Sequence, residues 1–108
     1  MYDKNMKTEQ TLADFESLAI TCKALSHPAR LAILQTLAGR GVCICSEIVD
    51  VMPLSQATVS QHLKILKEAD LIGGEIDGPR TCYCINTGTM RALREEFEQL
   101  FGSLENCC

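Results

Sequence analysis

The sequence lacks the features of membrane and secreted proteins. No apolar run approaches the roughly 20 residues that a membrane-spanning helix needs, and residues 1–5 lack the basic-then-apolar layout of a secretion signal. Glycine-rich and proline-rich stretches, internal repeats and low-complexity segments are also missing. A chain of 108 residues, 46% of them hydrophobic, is therefore expected to form one ordered cytoplasmic domain with no membrane partner.

The expected domain covers residues 1–108, with a core at about 12–103. Short tails are predicted at residues 1–10 and 104–108, the second ending in two adjacent cysteines. A domain of this size buries only roughly two thirds of its unfolded surface, so it would gain stability from pairing with a second copy. A homodimer is therefore a plausible expectation.

Cysteine is abundant: the chain has seven, an odd number arranged mostly in close pairs. In the reducing cytoplasm such cysteines are better explained as metal ligands or redox thiols than as a disulfide framework. Thiolates are soft ligands that select soft or borderline ions. The positions to be weighed are Cys22, Cys43, Cys45, Cys82, Cys84, Cys107 and Cys108.

The net charge of −4 argues at first against a nucleic-acid partner. The middle of the chain differs, because residues 22–67 carry five cations, Lys23, Arg30, Arg40, Lys64 and Lys67, against two anions, Glu47 and Asp50. This local excess of three positive charges is weak support for a DNA-binding surface.

Apolar spacing predicts a mainly helical fold with a small β-hairpin. Helices are expected at residues 11–25, from Pro28 to about residue 38, at 44–52, at 55–68 and from about residue 89 onward, with strands at 72–76 and 81–85. In the second helix Leu31, Ile33, Leu34 and Leu37 are expected to face inward. A break from Pro53 to Ser55 separates two helices, which is the arrangement of a helix-turn-helix.

The helix at 55–68 has the pattern of a DNA-reading helix. Val59, Leu63 and Leu66 form its inner stripe, and the outer side is polar or cationic, as the major groove requires. An ordinary amphipathic surface helix has the same pattern. The candidate DNA contacts are Ser55, Gln56, Ala57, Thr58, Ser60, Gln61, His62, Lys64 and Lys67, together with Arg80 at the tip of the hairpin wing. His62 lies on the helix flank, so a packing role at the boundary is expected for it ahead of base reading.

Three segments resemble the ArsR/SmtB family of metal-responsive repressors: residues 24–34 (ALSHPARLAIL), 55–66 (SQATVSQHLKIL) and 69–72 (ADLI). The resemblance implies a homodimeric winged helix-turn-helix with about five helices and two strands, paired through its first and last helices. It also implies a repressor, not an enzyme and without a catalytic cofactor, whose metal-free form binds double-stranded operator DNA. Binding of an inducer would lower the affinity of the repressor for that DNA.

Two cysteine groups match metal-sensing branches of that family. Cys43 and Cys45 resemble the Cys-x-Cys of members that sense arsenite, cadmium or lead, although Ile48 stands where one arsenite-sensing variant has a third cysteine. Cys107 and Cys108 resemble a second arsenite-responsive branch. The last helix lacks the histidines of zinc-sensing relatives, which argues against zinc sensing by that route.

The expected inducer is therefore As(III) or Sb(III), with Cd(II), Pb(II) or Zn(II) as alternatives. Cys22, Cys82 and Cys84 are secondary candidates, because packing in the core or the strand accounts for them better than metal binding does. A repressor that responds to thiol oxidation or persulfides is a rival within DNA binding. Outside it, a thiol oxidoreductase is disfavoured because no alternating βαβ pattern is present, and a metal buffer would bind no operator.

Overall fold

The computed structural model describes residues 4–40, 52–77 and 80–106, with side chains described at 12–39, 52–74 and 82–106. Four helices and one hairpin fall within these ranges: α1 (Lys4–Leu25), α2 (Pro28–Arg40), α3 (Gln56–Glu68), β1 (Ile72–Asp77), β2 (Arg80–Ile85) and α4 (Thr87–Glu105). The short helix predicted at 44–52 lies outside the described residues except for its last position. None of the described helices is long and apolar enough to cross a membrane.

Two helices are longer than the apolar pattern indicated. Helix α1 begins at Lys4 and not at Thr11, so the expected tail is helical from residue 4. The added turns are polar and contain good helix formers such as lysine, methionine and glutamate, which extend a helix without an apolar stripe. Helix α4 begins at Thr87, because the Asn86 side chain accepts a hydrogen bond from the Thr89 amide and caps the helix there.

The hairpin follows α3 directly and forms the wing. Strands β1 and β2 are antiparallel, and their register runs from Ile72 opposite Ile85 to Asp77 opposite Arg80. The predicted wing is therefore confirmed, with its turn at residues 78–79 outside the described residues. Its base is anchored in the core, because the Ile72 side chain is 1% exposed.

The core lies where α1, α2, α3 and the base of the wing meet. Its largest fully buried side chains are Ile33, Val59, Leu66, Leu71 and Ile72. The prediction that Leu31 faces inward is wrong: this side chain is 51% exposed, whereas Ile33 and Leu37 are buried. Residues two apart on a helix point to nearly opposite sides, so Leu31 and Ile33 cannot both face the same core.

The single chain is elongated, measuring 59 × 24 × 23 Å with a radius of gyration of 17.2 Å. A compact domain of this length has a radius of gyration of about 13 Å. On α1, Leu18 is buried, but Leu12 is 66% exposed. Helix α4 likewise exposes Phe101 and Leu104. The two terminal helices therefore present apolar faces that their own subunit does not cover.

Candidate nucleic-acid interface

Helix α3 starts at a well-formed cap. The Ser55 hydroxyl oxygen accepts a hydrogen bond from the Thr58 amide at 3.2 Å, and Ser55 donates its own proton to the Thr58 hydroxyl oxygen at 2.9 Å. The Ser55 carbonyl accepts the first helical bond, from the Val59 amide, at 3.0 Å. A serine cap of this kind contributes about 0.5–2 kcal/mol relative to alanine. The cap fixes where the exposed first turn begins.

The two faces of α3 are sharply different. Four residues at helical spacing are buried: Val59, His62, Leu63 and Leu66. The remaining outward positions are exposed, namely Gln56, Ala57, Thr58, Ser60, Gln61, Lys64, Ile65, Lys67 and Glu68. All the predicted DNA contacts on this segment except His62 are thus brought together on one accessible side, including Ser55 at the cap. Glutamine side chains can bond base edges, and lysines suit phosphates.

His62 requires a correction, because it was included among the candidate DNA contacts. Its side chain is 8% exposed, and its Nδ1 lies 3.2 Å from the Arg30 guanidinium. The ring also packs against His27, with ring centroids 4.5 Å apart. A side chain held against α2 in this way does not reach a base in this structure, so His62 belongs to the packing side of α3.

The C-terminal end of α3 is closed by a tight turn. The Leu71 amide donates to the Leu66 carbonyl and the Asp70 amide to the Lys67 carbonyl, each at 3.0 Å. This pair of bonds is a Schellman motif, and it places Asp70 in the left-handed region with a φ of 62°. Aspartate tolerates that conformation better than most residues other than glycine. The chain can therefore turn abruptly from the exposed helix into the wing.

The same turn is tied to the start of α4. The Thr89 hydroxyl donates to the Asp70 carboxylate at 3.2 Å, and the Asn86 side-chain amide donates to the Asp70 carbonyl at 3.1 Å. The Asn86 backbone amide donates to the Leu71 carbonyl at 3.0 Å. Three hydrogen bonds thus link the end of α3 to the cap of α4. A displacement of α4 is therefore expected to shift the end of α3 as well.

The wing carries one predicted DNA contact, Arg80. Arg80 occupies the last ladder position, opposite Asp77, which places its backbone at the tip of the hairpin. The side chain of Arg80 lies outside the described residues, so its role as a DNA contact stays a prediction.

Four of the cysteines predicted as metal ligands, Cys43, Cys45, Cys107 and Cys108, lie outside the described residues. Cys22 is a free, half-buried thiol that packs against the core. Cys82 and Cys84 are both disulfide-bonded. Neither therefore offers a thiolate to a metal ion in this structure, and their role as secondary metal ligands stays a prediction. Within residues 4–40, 52–77 and 80–106, no three His, Cys, Asp or Glu side chains come together as a metal site.

Sequence reasoning missed two groups of residues around α3. Arg30 was counted only as a positive charge, and Asp70, Asn86 and Thr89 were not singled out. Asn86, a residue type favoured at helix N-caps, was a usable local signal for the start of α4. Nothing local in the sequence indicated that Arg30 contacts His62, since the two are 32 residues apart.

Comparisons with known proteins agree with this geometry. A family profile described as a helix-turn-helix domain matches residues 25–73, which includes α2, α3 and the start of the wing. The HTH-type transcriptional regulator YgaV of Escherichia coli is 34% identical over 84 residues, covering 78% of this chain and 85% of that protein. The arsenical resistance operon repressor of Bacillus subtilis is 34% identical over 87 residues, covering 80% and 74%.

Among solved structures, a homodimeric winged helix-turn-helix DNA-binding domain from Mycobacterium bovis, described as a possible ArsR-family regulator, is also similar. It superposes with a TM-score of 0.67 at 26% identity and covers 91% of both chains. Sequence and fold therefore agree on a winged helix-turn-helix that is not an enzyme. This chain belongs to the ArsR/SmtB family of helix-turn-helix transcriptional regulators.

Proposed function

We propose that this protein is a DNA-binding repressor in which α3 reads the major groove and a thiophilic ion, As(III) or Sb(III), releases the operator. One observation carries the DNA-binding part. Helix α3 buries Val59, Leu63 and Leu66 and leaves a mostly polar side exposed, with Gln56 and Gln61 placed to bond base edges. Lys64 and Lys67 are exposed on the same helix and suit phosphates.

The repressor acts as a homodimer paired through α1 and α4. The exposed apolar surface supports this, because Met90, Leu93, Phe97 and Phe101 line an open groove along α4 whose polar rim is the ion pair of Arg94 with Glu98. Leu12 and Phe15 of α1 add exposed apolar surface. The homodimeric relative from Mycobacterium bovis is consistent with such pairing. Two copies of α3 would then meet two half-sites of a palindromic operator.

Phe101→Glu is expected to convert the dimer into monomers. Phe101 is 52% exposed in the single chain, so a charge there leaves the fold intact but cannot be buried at an interface. Leu31→Glu is the matched control, since Leu31 is 51% exposed but lies on α2. Sedimentation velocity would show Leu31→Glu and the unaltered protein as dimers. A dimeric Phe101→Glu variant would contradict pairing through α4.

The inducer part of the proposal depends on cysteine chemistry. Cys43 and Cys45 provide two soft thiolates ahead of α3, and Cys107 and Cys108 provide two more after α4. Thiolates of this kind suit trivalent arsenic and antimony, with Cd(II), Pb(II) and Zn(II) as competing ions. The arsenical resistance operon repressors of Bacillus subtilis and Staphylococcus xylosus, which are both relatives, support this assignment. The ion releases DNA because it binds more tightly to the conformation of the repressor that does not bind DNA.

The experiment is a mobility-shift assay on a duplex selected by the protein from a random library. Reduced protein is expected to retain the duplex, and arsenite is expected to lower its affinity by about 5- to 150-fold, the usual range of allosteric coupling. A Cys43→Ser, Cys45→Ser double variant should bind the duplex and lose the response, whereas Cys22→Ser should keep it. A Cys107→Ser, Cys108→Ser variant shows whether the terminal pair contributes. An undisturbed complex at saturating arsenite would contradict the inducer assignment.

A second candidate is a repressor that responds to thiol oxidation. The disulfide-bonded state of Cys82 and Cys84 favours it, because both lie in the wing next to α3. Oxidation at these positions would change the wing directly. Under this alternative, a mild oxidant releases the duplex from the unaltered protein but not from a Cys82→Ser, Cys84→Ser variant. Release of both proteins alike, with no disulfide at either cysteine by mass spectrometry, would contradict it.

A further inference from the structure

The two histidines of this chain lie against each other beneath α3. His27 is exposed in the junction between α1 and α2, and His62 is buried on the inner face of α3. Their ring centroids are 4.5 Å apart at an angle of 51°. The sequence contains no other histidine, so these two rings are its only imidazoles.

Arg30 joins this pair to α1. Its Nε donates to the Ala24 carbonyl at 2.6 Å, its Nη1 lies 3.2 Å from Nδ1 of His62, and its Nη2 donates to the Lys23 carbonyl at 3.5 Å. One guanidinium therefore connects the last turn of α1 with the middle of α3. Arginine has no acceptor and stays protonated, so His62 Nδ1 must accept. The His62 ring is consequently the neutral tautomer with its proton on Nε2.

We propose that Arg30 and His62 are positioning residues, which hold α3 in its DNA-binding orientation only while the His62 imidazole is neutral. This inference rests on the proposed reading role of α3. It assigns neither residue to the DNA contact itself. Both act by placing Gln61, which immediately precedes His62 in the sequence and lies on the exposed side of α3.

The charges around His62 oppose its protonation. The neighbouring titratable groups in the described part of the chain are His27 at the junction and Arg30 of α2. On α3 itself, Glu68 is the carboxylate that lines the same cleft as Lys23 and Arg30. Burial lowers the pKa of His62 below its ordinary value, and the nearby His27 and Arg30 lower it further. A proton on His62 would remove the acceptor and place a second cation beside Arg30.

The direction in which acidity changes operator binding distinguishes this proposal from general electrostatics. The docked arrangement binds this proton less readily than an arrangement in which α3 has moved away, so acidification below about pH 6.5 favours the latter. Operator binding is therefore expected to weaken at acidic pH. General electrostatics predicts the opposite, because protonation of carboxylates makes the chain more positive and strengthens its attraction to phosphates.

The test follows fluorescence anisotropy of the selected duplex at constant ionic strength, from about pH 8 to about pH 5.5. The protein is compared with His62→Asn, whose amide oxygen takes the approximate place of Nδ1 and does not titrate. For the unaltered protein, the dissociation constant is expected to rise severalfold from the alkaline to the acidic end of this range, because the docked arrangement binds the proton less readily. For His62→Asn the same ratio should stay within about twofold, since no titrating group remains at that position. Equal ratios in the two proteins, or tighter binding by the unaltered protein at acidic pH, would overturn the proposal.

A measurement on the DNA-free protein keeps the result independent of the operator and of the variant's folding. NMR should find the His62 proton on Nε2 at about pH 8, and the α3 amide signals should shift with the His62 titration. A proton on Nδ1, or α3 signals that ignore the titration, would overturn the positioning role. Failure to select any duplex at pH 8 would instead count against the proposed function, and this NMR result would still decide the present inference.

Discussion

Leu66→Ala is expected to lower the free energy of unfolding by about 2–5 kcal/mol, the range for truncating a buried leucine. Leu66 is fully buried in α3, and its carbonyl also accepts the closing bond of the Schellman motif from Leu71, which is itself fully buried. A domain of this size has a total stability of about 5–15 kcal/mol. Urea unfolding followed by circular dichroism would therefore show a large shift of the midpoint to lower urea.

The neighbouring Ile65→Ala is the matched control. It removes an aliphatic side chain of the same size from the same helix, but Ile65 is 38% exposed. Its expected cost is below about 1 kcal/mol. Both variants must be measured at one protein concentration, because unfolding of a dimer depends on concentration. Similar losses for Leu66→Ala and Ile65→Ala would contradict the buried and exposed faces assigned to α3.

Gln61→Ala is expected to weaken binding to the selected duplex by about 1–3 kcal/mol per half-site, the usual contribution of a bidentate contact to a base. Gln61 is exposed in the middle of the polar side of α3, adjacent to the buried His62. Binding to a random duplex should hardly change, since a base contact carries sequence information and a phosphate contact does not. The measurement is a pair of anisotropy titrations, one with each duplex.

Two further variants separate base reading from general attraction. Lys64→Gln should weaken binding to both duplexes and reduce the slope of log affinity against log salt by about 1 per lost phosphate contact. Gln99→Ala removes an exposed glutamine from α4 and should leave both affinities unchanged. If Gln61→Ala and Gln99→Ala behaved alike on the selected duplex, α3 would not be reading its sequence.

Local patterns in the sequence were sufficient to predict the exposed DNA-reading helix and the strands of the wing. The break from Pro53 to Ser55 and the spacing of Val59, Leu63 and Leu66 predicted α3 and its buried side, which the structure confirms. The wing was also predicted from β-favouring residues around a turn signal, and its strands are present. These features depend on neighbours within one or two turns of chain, so a short stretch of sequence specifies them.

Contacts between distant residues were not predictable in the same way. The spacing of Leu12, Phe15 and Leu18 showed that α1 has an apolar face, but periodicity does not reveal whether that face meets its own subunit or another chain. The His62 side chain lies on the buried side because Arg30 and His27 meet it from another part of the chain. Aspartate at position 70 gave no helix-end signal of the kind that glycine gives, although it adopts a positive φ.

The central claim is that the exposed side of α3 meets the bases of the operator. An NMR titration of the isotopically labelled protein with its selected duplex tests it most directly, because each backbone amide reports its own surroundings. The largest changes are expected at residues 55–64, with smaller ones in the wing. Changes concentrated in α1 and α4, with the α3 signals unmoved, would contradict it.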